Sequence, residues 1–311
     1  MLSYAFGVDL GGTTVKIGFF NSDGTLLEKW EIPTRTENNG AAILSDIADS
    51  LLNYLNKNSL SSSVLKGVGI DVPGAVLEGG IVNRCVNLGW GVKPVADELS
   101  KLLGGVPVCV ANDANAAALG EMRHAGKWKN VVMITMGTGV GGGVIIDGKI
   151  VTGAFGGAGE IGHIPVRKSE PEYCSCGKKG CLEQYASAEG LLKLAKVKLI
   201  RSKEETLLRG IDPLTTKDVF DAAKKGDAIA IGLVEEVCEM IGRAMACISC
   251  VVDPEAYIIG GGVSKAGEIL VETIRKYYKQ YAYHTSRETE IVLASLENDA
   301  GMYGAVNLVL A

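Results

Sequence analysis

Apolar residues alternate with polar or small ones over residues 4–10, 15–20 and 26–32, the two-residue period of β-strands. Asp23-Gly24 stands between the second and third runs as a hairpin turn. Past residue 41 the period changes. Ile43, Leu44, Ile47, Leu51 and Leu55 recur at three- and four-residue spacing, which predicts an amphipathic helix over 41–55. A buried strand is predicted at 67–72, closed by Pro73-Gly74, and another at 106–110; Asn112-Asp113 then leads into an Ala-rich helix over 114–124. The opening pattern returns here. Residues 131–136, a glycine-rich turn, residues 143–146 and Asp147-Gly148 repeat the order of residues 6–9, Gly11-Gly12, residues 17–20 and Asp23-Gly24. Two copies of a strand–glycine loop–strand unit imply two related α/β halves. Further on, a Thr215–Asp218 capping box opens one helix, a second covers 228–252 and stops at Asp253-Pro254, and a strand over 256–259 runs into Gly260-Gly261-Gly262. The expected division is a smaller N-terminal α/β domain over 1–118, joined by a final helix over 298–311, and a larger one over 119–297.

Composition narrows the function. Of 311 residues, 47% are hydrophobic and 22% charged, as in ordinary globular chains. With 31 Lys+Arg against 36 Asp+Glu the net charge is −5, which argues against a nucleic-acid partner. Gly accounts for 41 residues and Pro for 8, which suits many tight strand–turn junctions. Asp9 arrives too early for a signal peptide, and the longest uncharged run, 130–146, is short and broken by glycines. A soluble cytoplasmic protein without membrane contact is expected, its eight cysteines serving as thiols or metal ligands rather than bridges.

Three glycine loops carry candidate chemistry. In Asp9-Leu-Gly11-Gly12-Thr13-Thr14-Val-Lys16 a strand ends in a carboxylate, and two glycines let the backbone N–H groups approach phosphate oxygens. Asp9 could hold a Mg²⁺-bound water. A strand follows where a Walker loop needs a helix, and a plain hairpin with a glycine turn accounts equally well for this loop alone. Gly137-Thr138-Gly139 opens a second loop of the same make-up. Gly260, Gly261 and Gly262 lie between a strand and a helix, where an adenine or ribose could rest on bare backbone. Three such loops favour a polyphosphate nucleotide over close packing alone.

His163, Cys174, Cys176 and Cys181 make up a Cys₃His set of the closed, structural zinc type; the alternative is three buried thiols beside an unrelated His. Cys247 and Cys250 lie in an apolar helical run and read as core, as do Cys85, Cys109 and Cys238. Asp113, where a strand hands over to a helix, is either an N-cap or a carboxylate that orients a nucleophile in phosphoryl transfer. Glu160 and Glu183 flank the metal ligands, so a bound metal would fix two carboxylates suited to sugar hydroxyls.

Together, Asp9-x-Gly-Gly-Thr-x-x-Lys16, Asn112-Asp113-Ala-Asn115-x-Ala, Gly137-Thr-Gly139-x-Gly-Gly-Gly143, Glu160-x-Gly-His163 and Cys174-x-Cys176-Gly-x-x-Gly-Cys181-Leu-Glu183 resemble the ROK family of bacterial sugar kinases and sugar-responsive repressors. The likeness covers essentially the whole chain. It implies an α/β, actin/hexokinase-like fold: two ribonuclease-H-like domains with an interdomain cleft for ATP, Mg²⁺ and a hexose. It implies a structural Zn²⁺ on His163, Cys174, Cys176 and Cys181, with His163 also facing the sugar. Asn112, Asp113, Glu160 and Glu183 match hexose-binding positions, Asp113 being the base, while Gly74 and Asn87 line the sugar site. Within the family, residues 86–90 and 181–187 point to ATP-dependent phosphorylation of D-glucose to glucose 6-phosphate; kinases for N-acetylmannosamine, fructose or allose would share nearly all these residues. A repressor needs a helix-turn-helix, for which the residues before Asp9 leave no room, and a non-catalytic sugar-responsive relative has no use for Asp113 beside two phosphate loops. The resemblance also implies a homodimer.

Overall fold

A computed structural model describes residues 3–310, which fall into two compact units. The first takes in the chain up to Lys129, Gly143–Gly159 and the stretch from Leu296; the second takes in Asn130–Gly142 and Glu160–Ser295.

In the first unit β1 (Tyr4–Leu10), β2 (Thr14–Asn21) and β3 (Leu26–Pro33) form an antiparallel ribbon. β4 (Leu65–Val72) joins β1 in parallel. A small antiparallel sheet follows, made of β5 (Ala75–Leu77), β6 (Ile81–Arg84) and β7 (Lys93–Pro94). β8 (Val108–Asn112) then completes the main sheet in the order β3-β2-β1-β4-β8. The sheet is covered on both faces, which is why β1 is apolar almost throughout. Phe6, Val8 and Ile17 pack on the helix Ile43–Lys57, which turns Ile43, Leu44, Ile47, Leu51 and Leu55 inward as its period requires. On the opposite face Ala5 and Phe20 meet Met302 and Val306 of the last helix, Ala300–Leu310. That helix lies with its backbone directly on the sheet. A Cβ on Gly7 would stand 2.3 Å from the Met302 carbonyl oxygen, and one on Gly69 1.7 Å from that of Ala305.

The second sheet repeats this plan. β9 (Val131–Met136), β10 (Val140–Ile146), β11 (Lys149–Ile150), β12 (Ala256–Gly260) and β13 (Glu290–Leu293) run in the order β11-β10-β9-β12-β13. As in the first sheet, a hairpin (β10 with β11) is followed by parallel pairings, β9 with β12 and β12 with β13. The doubled strand–glycine loop–strand pattern has therefore produced two sheets of one topology, the ribonuclease-H-like arrangement. The helix Ala228–Val252 starts on Asp227, whose carboxylate accepts from the Ala230 N–H at 2.9 Å, and stops at Asp253 in a left-handed conformation. Before it, the helix Thr216–Lys224 carries the expected Thr215–Asp218 capping box.

Some expectations shift. The strand expected at 106–110 runs from Val108 to Asn112, because Pro107 has no N–H to give the ladder. The strand expected at 143–146 begins earlier, at Val140. Cys85 and Cys238 are buried as expected, but Cys109, Cys247 and Cys250 are exposed. Cys109 sits on the edge strand β8, and Cys247 and Cys250 share the outer face of their helix with Val251, so they are not core. Among the described residues no helix is long and apolar enough to cross a membrane.

Candidate active site

In the first unit, residues 9–16 are the β1–β2 hairpin, with Asp9 opposite Lys16 in register. The Gly11 N–H closes the turn on the Thr14 carbonyl at 3.0 Å, and Thr34, just past β3, ties it with its hydroxyl, which donates to the Gly11 carbonyl at 2.8 Å. Gly12 and Thr13 are left exposed at the tip. Lys16 Nζ lies 3.4 Å from Asp9 Oδ2 and donates to the Asn298 carbonyl at 2.6 Å. Burial pushes the Asp9 carboxyl above its ordinary range, with Lys16 and Asp71 working the other way.

Asp71 was not legible as a site residue. It is the parallel partner of Asp9 on β4, is fully buried, and crowds with Asp9 against Gly301. Burial first, then the charges of Asp9 and Asp113, hold its carboxyl well above the usual range. Neither oxygen finds a donor while both aspartates are ionised, whereas a proton on Asp71 turns its contact with Asp9 into an O–H···O bond. The signal available in the sequence was a lone acid inside an apolar strand.

On the neighbouring strand β8, where Asn112 pairs with Val72, Asn112, not Asp113, caps the helix Asp113–Ala125. Asn112 Oδ1 accepts from the N–H groups of Ala114 and Asn115 at 3.1 and 3.2 Å. Asp113 is the first helical residue, and its Oδ1 accepts from the Ala114 N–H at 2.8 Å and from Asn112 Nδ2 at 2.9 Å. Asn112 Nδ2 also reaches the Gly74 carbonyl at 3.2 Å, so Gly74, Asn112 and Asp113 form one cluster. Gly74 has no room for a side chain: a Cβ would lie 2.8 Å from the Arg84 carbonyl. Asn87 sits apart on an exposed 3₁₀ turn, whose preceding Cys85 donates its thiol to the Pro73 carbonyl at 3.1 Å.

In the second unit, Gly137-Thr138-Gly139 forms the β9–β10 turn, closed by the Gly137 N–H on the Gly139 carbonyl at 2.9 Å. Gly261, at φ 83°, packs so closely on Met136 that a Cβ would lie 2.4 Å from its carbonyl oxygen. The run Gly260–Gly262 is thereby brought beside the start of the 137–139 loop.

His163, Cys174, Cys176 and Cys181 converge, their ligand atoms all within 4.8 Å of one another. Cys174 Sγ is 3.6 Å from His163 Nδ1, and Cys176 Sγ is 3.6 Å from Cys181 Sγ. That sulfur separation is far beyond a disulfide and close to the roughly 3.8 Å between two thiolates on one tetrahedral zinc with bonds of about 2.3 Å. Burial, then the neighbouring thiols, push Cys181 up to about 12, while the Lys178 backbone N–H lowers Cys176. A divalent metal would relieve this crowding of thiols by keeping them as thiolates. Gly180, at φ 77° and with no room beside the Arg167 carbonyl, lets the loop wrap. Gln184, unremarked in the sequence, clamps the loop: its Oε1 accepts from the N–H groups of Gly180 and Cys181 at 2.8 and 3.1 Å. His163 turns Nε2 toward Glu160 Oε2, 3.8 Å away. Glu183 Oε2 accepts from the Val140 N–H at 3.0 Å, and its Oε1 from Ser175 at 3.3 Å.

The sequence profile described as ROK family matches residues 5–311. A glucokinase of Halalkalibacterium halodurans is 43% identical over 310 residues, spanning 97% of this chain and 94% of its own length. A xylose repressor of Caldicellulosiruptor bescii is 30% identical over 98% of this chain and 77% of the repressor. The crystal structure of a ROK family glucokinase from Streptomyces griseus in complex with glucose and AMPPNP superposes with a TM-score of 0.74 at 32% identity, covering 99% of each chain.

Proposed function

The chain belongs to the ROK family, and from that premise we propose that it is a sugar kinase transferring the γ-phosphoryl of ATP to D-glucose, giving glucose 6-phosphate. The observation that carries this reading is the clamped carboxylate of Asp113, held by Asn112 and Ala114 at the head of a helix in a chain that also has two glycine hairpins. Asp113 orients the attacking hydroxyl and accepts its proton as the oxygen bonds to the γ-phosphorus and the bond from that phosphorus to the bridging oxygen breaks, releasing ADP. The backbone around Gly11–Thr14 and Gly137–Gly139 faces the polyphosphate, and Gly260–Gly262 the nucleoside. Phosphoryl transfer has a loose transition state, so positioning of this kind supplies most of the catalysis.

Mg²⁺ is part of the same reading. Asp9, a carboxylate strained by burial at the mouth of the first loop, suits a water of the hydrated ion, and the ion would neutralise phosphate charge. His163, Cys174, Cys176 and Cys181 hold Zn²⁺, which fixes His163 and Glu183 toward the sugar. Glu160 and Asn87 add hexose contacts. A homodimer working in the cytoplasm completes the proposal.

A coupled assay of ADP release over a panel of hexoses tests it. Glucose with ATP should give the highest kcat/KM. No release with any hexose would refute the kinase, and a larger value for N-acetylmannosamine, fructose or allose would move the substrate.

A further inference from the structure

Glu183 has been read so far as a hexose contact beside the metal ligands, yet its best hydrogen bond goes elsewhere. Its Oε2 accepts from the Val140 N–H at 3.0 Å, at the last residue of the Gly137–Val140 turn. The same carboxylate fits so tightly over the turn that a Cβ on Gly139 would lie 2.5 Å from Oε2. Five residues on, the Ala188 N–H donates to the Gly137 carbonyl at 2.8 Å. The segment 183–188 therefore grips the turn at both ends. On its other side it is anchored to the cysteine loop, through Ser175 on Glu183 Oε1 and through Gln184 on the Gly180 and Cys181 N–H groups.

We infer that Glu183 is a positioning residue for the nucleotide: by holding the Val140 N–H it presets the 137–140 turn, and so sets the affinity for ATP before any sugar is bound. The inference rests on the reading of this turn as a phosphate loop. A turn of glycines is flexible, and fixing it in advance removes an ordering cost that the nucleotide would otherwise meet on binding. What matters for this role is reach, not charge. A glutamine is as long as glutamate and its Oε1 still accepts from Val140, whereas an aspartate keeps the charge but is one methylene short.

The test is calorimetric titration of the sugar-free protein with AMPPNP, using wild type, Glu183→Gln, Glu183→Asp and, as a control at an exposed neighbour, Glu189→Ala. Glu183→Asp should bind AMPPNP roughly tenfold more weakly, the size of a lost hydrogen bond to a charged group. Glu183→Gln should stay within about threefold of wild type, since only the charge assistance is lost. The control should match wild type. A residue that touched the hexose alone would move none of these sugar-free affinities. Wild-type affinity in Glu183→Asp overturns the inference, and so does a loss in Glu183→Gln equal to that in Glu183→Asp. Wild type that binds AMPPNP but phosphorylates no hexose would refute the kinase reading and leave this inference standing. Wild type that does not bind AMPPNP would end both.

Discussion

Asp71 on β4 and Asp113 just past the end of β8 have opposite surroundings, and each gives a prediction at the scale of a single side chain. Asp113→Asn keeps the shape but cannot take the proton of the attacking hydroxyl. Turnover should fall at least ~10²-fold with glucose affinity retained, the lower range for a general base. Steady-state kinetics and glucose titration would show this, and near wild-type turnover would remove Asp113 from the role. Asp71 bears on stability. Its folded pKa lies above its unfolded one, so its contribution is intact below the unfolded range, near 4, and drains away as pH rises toward the folded value. Between the two the slope approaches about 1.4 kcal/mol per pH unit. Asp71→Asn, whose amide can donate to Asp9 at any pH, should raise the melting temperature, and more at pH 8 than at pH 5. An equal gain at both pH values would contradict a neutral Asp71. Neither role could be read with equal ease. Asp113 stood in a recognisable motif, while the only sign of Asp71 was one acid in an apolar run.

Among elements, the cysteine loop was the most legible and its supports the least. Cysteine and histidine admit few chemistries, so His163 and the three cysteines stood out by type and spacing. Gln184 did not, because it acts on backbone N–H groups that no sequence pattern marks. The exposure of Cys247 and Cys250 departs from the pattern for a related reason. The pattern tells that a helix has an apolar face, but which flank a neighbour covers is a tertiary fact. The cap of the helix Asp113–Ala125 was displaced by one residue because Asn and Asp are nearly equivalent caps. If the loop is a zinc site, protein purified without added zinc should contain one zinc per chain by metal analysis. Cys181→Ser should lose it together with activity, and Cys247→Ala should keep both. Full activity in metal-free protein would sink the assignment.

On the scale of the molecule, the two sheets were legible because the strand–glycine loop–strand pattern occurs twice. The packing of the last helix was not, since it depends on glycines at Gly7, Gly69, Gly120 and Gly304 acting together. A Cβ on Gly304 would stand 1.7 Å from the Ala116 carbonyl, in the helix headed by Asp113. Gly304→Ala should therefore destabilise the protein by about 2–4 kcal/mol in urea unfolding, despite the roughly 1 kcal/mol that alanine adds in helix propensity. Unchanged stability would mean that the two helices can separate freely.

That last helix also sets an order of events during synthesis. The second unit is complete once Ser295 has left the ribosome, and its sheet, cysteine loop and long helices can settle by then. The first unit is made from segments that precede and follow the bulk of the second. Its opening strands are translated before any of the second unit, yet the face of β1 and β4 around Gly7 and Gly69 stays bare until residues 300–310 arrive. A nascent chain therefore waits with its earliest strands unfinished, and the carboxylates of Asp9 and Asp71 remain wet until Gly301 closes over them.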